Sequence, residues 1–116
     1  MQFTKSRSKR ILRWVAVTRP AKASACRRIL RDEAKLEMFR EELELKYGEE
    51  LNEIGDGEIV DALIRLVEFI IENMDSIVAL IELIIGLFTS DEPNVVWQGL
   101  CEWRDNNSPS PVNTAA

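Results

Sequence analysis

The segment from Ile59 to Phe88 restricts the folds open to this chain more than any other, because its apolar residues recur in sevens. With Val60 as position a, the a residues are Val60, Val67, Met74, Ile81 and Phe88, and the d residues are Leu63, Ile70, Ile77 and Ile84. That is the pattern of a helix with a buried seam. The e positions Ile64, Ile71, Val78 and Ile85 are apolar as well, as are the g positions Leu66, Leu80 and Leu87; Asn73 is the exception. Acids occupy position b: Asp61, Glu68, Asp75 and Glu82.

Apolar residues at a, d, e and g span more than half of a helix surface, which calls for neighbours on two or three sides. A single helix over residues 58–89 would be roughly 45 Å long at 1.5 Å per residue. Each large side chain left in water would cost about 1.5–3 kcal/mol. The pattern therefore predicts an all-α fold, a helical hairpin built on one long heptad helix that packs into an oligomeric bundle. The nine a and d residues form the expected interface with copies of the chain, and the acids face water. Isoleucine at both a and d leans toward bundles of more than two strands.

Charge divides the chain into blocks. Residues 1–31 carry ten cations and no acid; residues 32–58 carry eleven acids against Lys35, Arg40 and Lys46; from Ile59 onward nine acids face Arg65 and Arg104. The net charge of −5 hides a strongly dipolar chain. Residues 1–20 read as a basic arm, able to form a short helix or strand through Ile11, Leu12, Trp14, Val15 and Val17 before Pro20 ends it. Its Lys5, Arg7, Lys9, Arg10, Arg13 and Arg19 are the candidate contacts for nucleic acid or an acidic protein surface. The same acid-free, Ser-containing start fits a targeting segment or a basic patch on anionic lipid, and pairing with the neighbouring acidic block is the third reading.

A helix is expected from Ala21 to Tyr47, with Cys26, Ile29, Leu36, Phe39 and Leu43 on one face and Gly48 as its stop. Its charges oppose the helix dipole, since Arg27, Arg28 and Arg31 precede Glu41, Glu42 and Glu44. Gly55-Asp56-Gly57 reads as the hairpin turn, with Asp56 as N-cap of the heptad helix. Residues 52–63 superficially match a calcium loop, but Ile54 and Leu63 stand where oxygen ligands are required. A last helix over 92–104 follows Ser90-Asp91-Glu92-Pro93, with Trp97 and Trp103 as packing anchors, and residues 105–116 read as a flexible tail.

The chain has no histidine, no CxxC, no phosphate-binding glycine loop and no nucleophile elbow, so a non-enzymatic protein without metal or cofactor is expected. Cys26 and Cys101 are expected to stay reduced. Six charged residues interrupt the 59–88 stretch, which argues against a lone membrane span. The reading is a structural or assembly protein, a small virion component being one fit. It would work inside a cell or particle and bind copies of itself, other structural proteins and, through residues 1–31, nucleic acid. The alternative is a membrane-associated or pore-forming small helical protein.

Overall fold

The computed structural model describes residues 4–54 and 60–105, and within them the fold is all-α. Six helices follow one another: α1 (Lys5–Thr18), α2 (Ala23–Arg31), α3 (Glu33–Ile54), α4 (Val60–Glu72), α5 (Met74–Thr89) and α6 (Pro93–Asp105), with a 3₁₀ turn at Pro20–Lys22. The radius of gyration is 14.0 Å. Compact domains of this size have about 13 Å, so the apolar helices fold back on one another.

The basic stretch is a core helix, not a separate arm. Thr4 caps α1 by accepting from the Arg7 N–H at 3.3 Å, and Ile11, Leu12 and Val15 are fully buried. Their spacing makes one face, which also takes in Arg7 and Ser8, while Arg10 and Arg13 lie outside it. The helix ends at Thr18, just ahead of Pro20.

The helix expected over 21–47 is broken at Asp32. Its backbone is extended there (φ −116°, ψ 114°), and its Oδ1 accepts from the N–H groups of Ala34 at 2.9 Å and Lys35 at 3.3 Å. This is an N-cap, and it removes the dipole conflict. Arg28 and Arg31 now lie in the last turn of α2, and Glu33 in the first turn of α3, each at the end that favours its sign. Lys35 Nζ donates to Asp32 Oδ2 at 2.7 Å; that bond holds the Asp32 carboxyl below its ordinary range.

Gly48 does not end α3. The irregular residue is Tyr47 (φ −121°, ψ 17°), after which the helix resumes to Ile54. Leu51 and Ile54 are buried beyond the kink; their burial holds the extra turns in place. The turn expected at Gly55-Asp56-Gly57 lies outside the described residues.

The heptad stretch is two helices, of 13 and 16 residues, meeting at Asn73 (φ −112°, ψ 22°). The reason is the one polar g position. Asn73 is buried, and its Nδ2 donates to the Phe69 carbonyl at 2.9 Å while its own N–H takes the same oxygen at 3.0 Å. A side chain that competes for a helical carbonyl loosens the turn. Three residues on, Ser76 joins α5 to both neighbours. Tyr47 Oη lies 2.6 Å from Ser76 Oγ, and Trp103 Nε1 donates to the Ser76 carbonyl at 2.8 Å. Tyr47 also stands edge-on to Phe69 and Trp103, with centroids 5.0 and 6.2 Å away. Both irregular residues thus border one polar cluster within the core.

α3 runs antiparallel to α5, because Lys35 meets Phe88 at one end while Tyr47 meets Ser76 at the other, and Tyr47 also touches Phe69 of α4. α6 returns along α5, where Gly86 and Gly99 allow close approach to Val96 and Leu83. Arg104 clasps the buried Glu42 through Nε at 2.9 Å and Nη2 at 2.7 Å. Of the two tryptophans of α6, Trp103 is buried and Trp97, expected as a second packing anchor, is exposed.

Candidate polyanion interface

The structure sorts the candidate cations by what each one meets. Lys5 Nζ donates to Glu33 Oε1 at 2.9 Å, and that bond raises its pKa. Arg7 is buried and its Nη1 donates to the Leu51 carbonyl at 3.3 Å. Arg19 Nη2 pairs with Asp75 at 3.3 Å, and Lys22 pairs with Glu82. These four fasten α1 and the 3₁₀ turn to the acidic helices. Lys9 is half-buried, whereas Arg10 and Arg13 are exposed and have no ion-pair partner among the described residues.

The candidate residues named from the sequence stop at Arg19, although the 1–31 stretch expected to meet nucleic acid includes Arg27, Arg28 and Arg31. α1 and α2 pack as neighbours, and Arg27, Arg28 and Arg31 all lie exposed on α2, without an acid partner among the described residues. Cys26 and Ile29 point inward from the same helix, so a 3.6-residue period leaves the arginines on the outside. The signal was available in the spacing of Cys26, Ile29 and Leu36; assigning residues 21–47 to one helix with a dipole conflict obscured it. The result is five exposed guanidiniums carried by two packed helices.

Beside this face runs a groove of about 470 Å³ lined by Arg28, Arg31, Asp32, Lys35, Ile85 and Thr89. Lys35 Nζ stands 4.6 Å from the centroid of the Phe88 ring.

The nine expected interface residues divide as well. Ile70, Met74, Ile77, Ile81 and Ile84 are buried in the chain's own core, Val67 is half-buried, and Leu63 and Phe88 are exposed. The Val60 side chain lies outside the described residues. α4 keeps an outward apolar stripe of Leu63, Ile64 (51 % exposed) and Ile71 (60 % exposed). On one side of it stand Arg65, Glu68 and Glu72, which share a cavity with Glu50 and Glu53 of α3. Burial, then the charges of Glu72 and Glu53, push the Glu50 carboxyl upward. α1 packs on α4 and is tied to the start of α5 through Arg19 and Asp75.

Cys26 and Cys101 are free thiols. Among the described residues no group of His, Cys, Asp or Glu could hold a metal ion, and no helix is long and apolar enough to cross a membrane. No protein-family model matches the chain, and no similar curated protein or solved structure is found.

Proposed function

We propose that the chain is a non-enzymatic assembly protein that binds nucleic acid through the arginine face of α1 and α2 and associates with copies of itself through α4. One observation carries the first part: Arg10, Arg13, Arg27, Arg28 and Arg31 stay exposed without acid partners among the described residues, in a chain of net charge −5. Guanidiniums gathered on one face neutralise phosphates and release counterions, so such binding is strongly salt-sensitive. A role inside a nucleic-acid-containing particle fits this economy of parts.

The test is fluorescence anisotropy of a labelled oligonucleotide over a salt series with the full chain. Binding should weaken steeply with salt. Replacing Arg27, Arg28 and Arg31 together by Ala should lower the slope of log affinity against log salt by about 2 to 3, at 0.7–0.9 per phosphate contact. Salt-insensitive binding, or an unchanged triple variant, overturns the reading.

Charge complementarity supports the second part. The α4 stripe of Leu63, Ile64 and Ile71 stays exposed beside the cavity of Glu50, Glu53, Arg65, Glu68 and Glu72, whose mixed charges can pair with those of a second copy. Ile64→Asp with Ile71→Asp should leave a folded monomer by light scattering, and an unchanged mass would remove this surface from consideration.

A second reading draws on Trp14 and Val17, exposed on α1 beside Arg10 and Arg13, since an aromatic among cations also suits an anionic lipid surface. Flotation with anionic vesicles that survives high salt, and is lost in Trp14→Ala, would favour this membrane-associated alternative.

A further inference from the structure

Resting on the nucleic-acid reading above, we propose that the groove between α2, α3 and α5 selects single-stranded over duplex nucleic acid, with Arg28 and Arg31 on phosphates and Phe88 beneath an unstacked base. The groove gathers residues from three helices: two arginines of α2, Asp32 and Lys35 at the start of α3, and Ile85 and Thr89 of α5.

Its charge is decided by Asp32. This is the only acid among the lining residues, and its carboxylate is engaged by the Ala34 N–H at 2.9 Å and the Lys35 ammonium at 2.7 Å. Arg28 and Arg31 are left facing solvent with no acid partner among the described residues. The groove is therefore cationic along its α2 wall.

Its α5 wall carries the apolar Ile85, which packs against the core. One turn further on, outside the lining itself, Phe88 is 46 % exposed and borders the groove through Lys35, whose ammonium lies 4.6 Å from its ring centroid. A duplex carries its phosphates outside and keeps its base faces stacked, so an exposed ring at the groove's edge adds nothing to duplex binding. A single strand can turn a base out onto a ring while neighbouring phosphates meet arginines. The groove's volume of about 470 Å³ falls within the 300–1,000 Å³ typical of sites for small molecules, which suits one base and not the breadth of a duplex.

The experiment compares a labelled mixed-sequence single strand with the duplex of the same sequence, binding each to the full chain by anisotropy across a salt series. The strand should bind more tightly. Phe88→Leu should weaken strand binding between about fivefold and a hundredfold, the range of one lost base–aromatic stack, and leave the salt slope and duplex affinity unchanged. Arg31→Ala should lower the strand's slope by about 0.7. Phe88→Trp, which keeps a stacking face, should retain strand binding and guards against a folding defect in the leucine variant. Equal affinity for duplex and strand, or a Phe88→Leu variant that binds as the parent does, overturns the groove assignment and leaves the arginine face standing. Absence of binding to either nucleic acid overturns the arginine-face reading itself.

Discussion

Arg104 offers a sharp test of how α6 is held to α3. Glu42 is only 5 % exposed, and both of its carboxylate oxygens are met by the Arg104 guanidinium, at 2.9 and 2.7 Å. Arg104→Met would keep the aliphatic stem and leave a buried carboxylate without its cation. Breaking a buried pair in this way costs about 3–5 kcal/mol. The Arg104 side chain is 30 % exposed, so solvent partly screens the pair and the lower end, about 3 kcal/mol, applies. An unfolding entropy of about 2.1 cal/mol/K per residue makes each kcal/mol worth about 4 °C in a chain of 116 residues. The melting temperature should fall by about 12 °C in far-ultraviolet circular dichroism. Adding Glu42→Gln, which keeps the shape and removes the charge, should recover most of the loss. A single variant melting within about 4 °C of the parent, or a double variant that recovers nothing, would refute the account of a buried charge held by one partner.

Three further outcomes follow from the packing. Gly86→Ala should stabilise the chain by up to about 1 kcal/mol, the helix-propensity difference, because the added Cβ meets Val96 Cγ1 at an ordinary 3.6 Å; a lower melting temperature would show that α5 and α6 are closer than that. Tyr47→Phe should cost about 1 kcal/mol in denaturant titration, the worth of a lost hydrogen bond to Ser76, with the ring contacts to Phe69 and Trp103 kept. Burial pushes the Cys26 thiol from 9.0 up to about 11, against a smaller downward pull from Arg27. The folded chain then retains a proton that the unfolded chain releases above about pH 9, so stability is complete below that pH and declines by up to about 1.4 kcal/mol per pH unit toward pH 11. Cys26→Ala should flatten that part of the pH–stability curve, and parallel curves for parent and variant would place the thiol in water.

The all-α fold was legible because apolar spacing is a local property. Ile70, Ile77, Ile81 and Ile84 recur on one seam and all four are buried. The breaks had marks as well, though their meaning depended on the fold. Asn73 was the single polar g residue, and the change from arginines to acids around Asp32 registered as a dipole conflict before it could be understood as a helix boundary. The fate of the cations was not legible. Lys5 finds Glu33 across 28 positions and Lys22 finds Glu82 across 60, and no rule of spacing along one helix reaches that far. Arg7 and Arg10 look alike in sequence and, at i and i+3, stand only about 60° apart around α1, yet Arg7 is buried against the Leu51 carbonyl of α3 and Arg10 is exposed.

The arginine face also determines how the molecule approaches a partner from a distance. A chain of net charge −5 is repelled as a whole by a polyanion when screening is weak, since the Debye length near 0.01 M salt is about 30 Å, comparable with the molecule's 27 Å shortest extent. Near 0.1 M the field reaches only about 10 Å. Each face then acts for itself, and the α1–α2 surface attracts while the acids beyond it are screened. Encounter rates should therefore pass through a maximum at intermediate ionic strength, with productive collisions confined to one orientation of the tumbling protein.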